Sequence, residues 1–162
     1  MRPGLYSEKV PTDAEIMLVS EQPGDREDRE RRPFVGPPGL LLDRALAEAG
    51  VDRRRIYVTN AVKHFKFEPR GKRGLHKRRN ANEIKICRRW LFDEIEATGP
   101  RLIVALGATA AQGLIGRAIP VLSNRGAVLD VANGLRVFVT IHPSALYASK
   151  MRKRNVLPTQ VS

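Results

Sequence analysis

Residues 102–115 read LIVALGATAAQGLI: five apolar residues, a glycine, then a short segment with apolar residues at helical spacing. An uninterrupted apolar run of this length suits a strand buried on both faces, as in parallel sheets covered by helices. Gly107 separates the strand from a helix expected over Ala108–Ile115. Outward from this stretch the alternation repeats. Upstream, Glu15–Ser20 (EIMLVS) and Ile56–Asn60 (IYVTN) read as short buried strands. Between them Pro38–Ala49 (PGLLLDRALAEA) is apolar at helical spacing, opens with Pro-Gly and stops at Gly50. Asn80–Ala97 reads as a helix, with Asn80 or Asn82 as cap and Ile84, Cys87, Leu91 and Ile95 along one face. Downstream, Arg136–His142 (RVFVTIH) is a fourth strand, preceded by a weaker one at Ala127–Val131, and a last helix starts near Pro143.

No internal repeat or compositional break divides the chain, so residues 1–162 are expected to form a single domain. Alternating strands and helices predict an α/β fold, a three-layer α/β/α sandwich around a central, largely parallel four-stranded sheet. Such sheets bind ligands beyond the carboxyl ends of their strands. The residues there are Glu21-Gln22-Pro23-Gly24, Asn60, Gly107 and His142-Pro143-Ser144. Two connections are long enough to suggest function. Residues 25–37 (DREDRERRPFVGP) alternate charge and then present Phe34. Residues 64–79 (HFKFEPRGKRGLHKRR) interleave aromatics, glycines and basic residues with His76.

Charge narrows the class of partner. The chain carries 29 Lys and Arg against 17 Asp and Glu, a net +12. Between Lys63 and Arg89 stand eleven basic residues against Glu68 and Glu83, so this stretch alone supplies +9. Clustering of this kind is the footprint of a polyanion-binding surface, and nucleic acid is the expected partner. The basic run at 150–154 (KMRKR), in a tail spanning 150–162, adds to the same field or merely keeps the end solvated. An apolar share of 42% excludes overall disorder. The single cysteine, Cys87, excludes a disulfide within the chain and a metal site built from cysteines alone. The first twenty residues lack the apolar run of a signal peptide, and no segment reaches membrane-spanning length. A cytoplasmic protein without membrane partners is expected.

Four blocks in order then make a specific pattern: EQPGDREDRERRPFVGPPGLLLDRAL from Glu21, YVTNAVKHFKF from Tyr57, GKRGLHK from Gly71 and HPSAL from His142. Together they resemble the family-4-like uracil-DNA glycosylases, nearest to the UdgX branch, over roughly Glu15 to Leu146. The resemblance implies a DNA-repair enzyme that flips uracil out of DNA and hydrolyses its N-glycosidic bond, leaving an abasic site. Single-stranded DNA is the expected preference, because flipping costs least there. In the roles it implies, Phe34 stacks on uracil and Asn60 reads its N3–H and O4, an edge that one amide can match. His142 donates to uracil O2 as negative charge builds on the leaving base, the kind of pre-aimed donor that contributes most in such sites. Glu21 and Gln22 hold the attacking water near the sugar C1′. Glu27 lies near uracil C5, where it excludes thymine's methyl group. Gly24, with Pro23, lets the backbone approach the nucleotide. Lys72, Arg73, Lys77 and Arg78 contact DNA, and Ser144, Ala145 and Leu146 form a loop gripping the minor groove.

Two departures bear on mechanism. The family usually holds a four-iron cluster through an early Cys-x-x-Cys pair and two later ligands, which correspond here to His64 and Cys87. The early pair is absent, and two ligands do not hold a four-iron cluster. No iron–sulfur cluster and no other metal is therefore expected; Cys87 reads as a small core residue and His64 as structural or DNA-touching. In the UdgX branch a Lys-Arg-x-x-His loop supplies a histidine that bonds to C1′. Here the loop reads Lys72-Arg73-Gly74-Leu75-His76, with glycine where a second basic residue is typical. Capture of a short-lived cation needs close alignment, so turnover by water is the expected course. A single-use His76–DNA adduct is the alternative, and a non-cutting binder of uracil-containing or abasic DNA the second.

Overall fold

The computed structural model describes residues 13–63, 67–70, 73–76 and 80–155, with 25, 67–70, 73–76 and 153–155 described by backbone alone. In chain order the elements are β1 (Ile16–Ser20), α1 (Asp25–Glu30), α2 (Pro37–Glu48), β2 (Ile56–Asn60), β3 (Phe67–Arg70), β4 (Arg73–His76) and α3 (Ala81–Thr98). They continue with β5 (Leu102–Leu106), α4 (Ala108–Ile115), α5 (Val121–Asn124), β6 (Val128–Val131), β7 (Leu135–Thr140) and α6 (Pro143–Asn155).

The main sheet has the order β2-β1-β5-β7-β6. The first four are parallel neighbours, as the apolar runs require, while β6 joins as an antiparallel edge strand. The expected four-stranded sheet thus gains a fifth strand from the weaker segment before β7. Its residues alternate between exposed and half-buried, as an edge strand allows. Side-chain alternation along the strands builds a core on each face. On one face Met17, Val19, Ile103, Ala105, Val137 and Val139 pack with Leu91 and Ile95 of α3 and Ala110, Ala111 and Leu114 of α4. On the other, Leu18, Ile56 and Leu106 pack with Leu42 of α2 and with Phe34, which precedes that helix. These two cores make the sandwich three-layered.

The long connections are more structured than expected. Residues 25–30 form α1, whose DREDRE sequence has no apolar periodicity to announce it. Within the basic stretch, β3 and β4 pair as an antiparallel hairpin with Phe67 opposite His76 and Arg70 opposite Arg73. His76 therefore stands at the hairpin's base. Asn80 caps α3: its side chain accepts from the Glu83 N–H at 2.9 Å while Glu83 accepts from the Asn80 N–H at 3.0 Å.

Candidate active site

The chain enters the sheet at β1, passes to β2 on one side, then returns to β5 on the other. That reversal opens a crevice above the carboxyl ends of β1 and β5, where open α/β sheets place their ligands. Glu21 lies there. Its Oε1 accepts from the Thr109 N–H, 3.3 Å away in the first turn of α4. Gly107 makes the approach possible: its φ is +93°, and a Cβ on it would lie 2.6 Å from Glu21 Oε1. The β1–β2 ladder runs past the strands, with the Ala61 N–H donating to Ser20 O at 2.8 Å and the Val62 N–H to Glu21 O at 2.9 Å. Asn60, 5% exposed at the end of β2, sits in register with Ser20.

His142 arrives from β7. Its carbonyl accepts from the Ala145 N–H at 3.0 Å, and Pro143 opens α6 at the position where proline has no N–H to lose. The imidazole is held at both nitrogens. Nδ1 lies 2.7 Å from Ser144 Oγ and accepts from the Ser144 N–H at 3.2 Å. Nε2 lies 2.8 Å from Ser20 Oγ. A backbone N–H can only donate, so Nδ1 is the acceptor and Nε2 carries the hydrogen.

Phe34 closes the group. Its ring centroid lies 6.2 Å from that of His142, while 8% exposure shows that it is also a core residue. Its backbone is left-handed, with φ +55°, uncommon for a non-glycine residue. Three neighbours hold it. Glu27 Oε1 accepts from the Phe34 N–H at 2.6 Å, and Glu27 Oε2 from the Gly24 N–H at 2.7 Å. Arg53 donates to Pro33 O at 3.1 Å, with its guanidinium 5.6 Å from the ring centroid. A Cβ on Gly39 would stand 1.7 Å from the Phe34 carbonyl oxygen, so only glycine fits. Glu27, expected near uracil C5, joins the Gly24 turn to the Phe34 backbone. Gln22 is half-buried beside Glu21.

Ser144, Ala145 and Leu146 are exposed, and they form the first turn of α6 rather than a loop. Arg73 and His76 are placed by backbone alone. His64, Lys72, Lys77 and Arg78 lie outside the described residues. Cys87, the other expected ligand position, is 4% exposed and packs with Val62 and Ile84. Among the described residues no group of three His, Cys, Asp or Glu could hold a metal, and no helix is long and apolar enough to cross a membrane.

Sequence reading missed a cluster at the root of the basic stretch. Lys63 Nζ lies 2.6 Å from both Thr59 Oγ1 and Glu94 Oε2, and is nearly buried. Burial pulls the ammonium pKa down, while the Glu94 carboxylate opposes that pull. Tyr57, beneath them, has its phenol pushed up to about 12 by burial and by Glu94. The only available signal was the Thr-x-x-x-Lys spacing, which does not announce a partner 31 residues away.

Fold and rim together define an α/β protein whose polar residues gather at the sheet's switch point. A model of the uracil DNA glycosylase superfamily matches residues 8–159, and the chain belongs to that family. It is 37% identical to the type-4 uracil-DNA glycosylase of Thermotoga maritima over 139 residues, 85% of this chain and 69% of that protein. It is 35% identical to the type-4 uracil-DNA glycosylase of Archaeoglobus fulgidus over 159 residues, 93% and 74% of the two chains. A DNA polymerase of Bacillus phage SP01 is 30% identical over 134 residues, 82% of this chain but 14% of that protein.

Proposed function

We propose that this chain is a DNA-repair glycosylase that excises uracil from DNA by turnover. The observation carrying this reading is the gathering of Glu21, Asn60, Phe34 and His142 at one switch point, from segments as far apart as β1 and β7. The flipped base stacks on Phe34, and Asn60 matches its N3–H and O4. As the N1–C1′ bond breaks, its electron pair stays on uracil and charge builds at O2, where His142 Nε2–H donates. The Glu21 carboxylate faces the cationic sugar and, with Gln22, positions the water that bonds to C1′. The product is an abasic site. Glu27 and Gly24 keep the platform and the turn in register, which supports base selection through the placement of Phe34. The basic hairpin and the first turn of α6 follow the phosphates, and single strands are the better substrate because less stacking is lost. The enzyme works in the cytoplasm without an iron–sulfur cluster.

The test mixes the protein with a tenfold excess of a labelled, uracil-containing single strand, following free uracil and any denaturant-resistant protein–DNA band. Several uracils per protein and no such band are the expected result. One uracil per protein, with a band lost in His76→Ser, would replace turnover by covalent capture. No uracil at all would reduce the protein to a binder.

A further inference from the structure

We infer that Ser20 is a positioning residue of this reaction, clamping Nε2 of His142 while Ser144 clamps Nδ1, so that the imidazole is aimed before uracil enters. The inference rests on the function proposed above and adds a residue to it. Ser20 ends β1 and is 4% exposed. A buried hydroxyl is costly unless bonded. This one meets a ring 122 positions away, reached across β5. Its register partner is Asn60, so Ser20 stands between the residue assigned to one edge of uracil and the residue assigned to O2.

With Nδ1 accepting from the Ser144 N–H, the Nε2–H donates to Ser20 Oγ. A ring held on both sides cannot flip about Cβ–Cγ without breaking both sets of bonds. Pre-set rings of this kind are how a site avoids reorganisation as charge develops. When uracil O2 replaces Ser20 Oγ as acceptor of the Nε2–H hydrogen bond, the hydrogen stays on Nε2, the ring plane is already fixed and the Ser20 oxygen remains beside it as a polar stop. Alanine at this position would remove the clamp at Nε2.

The test compares single-turnover excision by wild type, Ser20→Ala, Ser20→Thr, His142→Ala and the Ser20→Ala/His142→Ala double variant. Nitrogen NMR of labelled histidine reports the tautomer and mobility of His142 in the same proteins. Ser20→Ala should slow excision on the order of tenfold, short of the loss that a shift of about 1 Å brings. Its DNA affinity should stay within about twofold, because the phosphate contacts that supply most affinity are untouched. Threonine should restore most of the rate, and the double variant should be no slower than His142→Ala. In wild type the Nε2–H tautomer should dominate, giving way to exchange broadening in Ser20→Ala. An unchanged or faster Ser20→Ala would overturn the inference. So would a further loss in the double variant, which would put Ser20 on uracil itself. A wild type releasing no uracil would sink the functional reading; unaltered His142 nitrogen signals in Ser20→Ala would then still overturn the clamp.

Discussion

The two ends of the central sheet use polar residues in opposite ways. At the amino end, charges pair with each other in solvent: Arg101 with Glu15 at 3.5 Å, Arg54 with Asp52 at 2.9 Å. An open hollow of about 410 Å³ there is lined by Asp13, Glu15, Asp52, Arg54 and Arg55, with no convergence on a common point. At the carboxyl end the partners are backbone groups and a ring, and two are bound through conformations that few residues adopt. Gly107 and Phe34 both have positive φ; glycine adopts it freely, whereas at Phe34 such a conformation persists only where surroundings over-determine it. What marks the carboxyl end is side chains bonded to fixed donors and acceptors.

If that contrast is sound, substitutions should divide by end. His142→Ala should have the largest effect, slowing uracil release about 10²–10³-fold, the usual loss when a pre-aimed donor is removed. DNA affinity should change little, and binding measured beside excision checks this; parallel loss of both would move His142 from chemistry to binding. Gly107→Ala comes next. Its Cβ would displace Glu21, and its φ would cost about 1–3 kcal/mol in stability. Excision should fall on the order of tenfold, and urea titration with a rate measurement separates the two effects. An unaltered rate would show that the Glu21 carboxylate needs no fixed place.

Away from the site the effects should lie in stability alone. The Tyr57 phenol loses its proton near pH 10 when unfolded and near about 12 when folded. Between those values the unfolded chain binds fewer protons, so stability is full below pH 10 and declines as pH rises toward 12. Tyr57→Phe should remove about 1 kcal/mol of that decline by pH 11; urea unfolding at pH 9 and pH 11 measures it. An identical decline in the variant would assign it to other groups. The smallest effect belongs to Arg101→Ala, within about 0.5 kcal/mol and without change in excision. A loss of several-fold in activity there would erase the distinction between the ends.

The parallel strands were legible because each is a short apolar run that no other element of this size accounts for, and their ends pointed to Glu21, Asn60 and His142. α1 was not, since six polar residues carry no period. The hairpin was hidden for a related reason: Pro69 and Gly74 are strand breakers, and their pairing depends on the partner strand rather than on local preference. Within the site, the residues missed were those defined by distance in space. Ser20 looks like the last residue of a strand until His142 is beside it. Gly39 looks like a helix-opening glycine until the Phe34 carbonyl is found where its Cβ would be. Glu27 was read as the residue that excludes thymine's methyl group, and its two hydrogen bonds to Gly24 and Phe34 were visible only in the fold.

The two ladder bonds that continue β1 and β2 beyond their strands, from Ala61 to Ser20 and from Val62 to Glu21, set where this protein can change length. An insertion anywhere in residues 20–22 or 60–62 would slip the rungs and separate the Glu21 carboxylate from the Asn60 amide. The hairpin begins only after Lys63, which is pinned to Thr59 and Glu94. If the stretch beyond that pin faces DNA as proposed above, changes of length or sequence there should alter nucleic-acid preference more than they disturb the placing of Glu21 and Asn60.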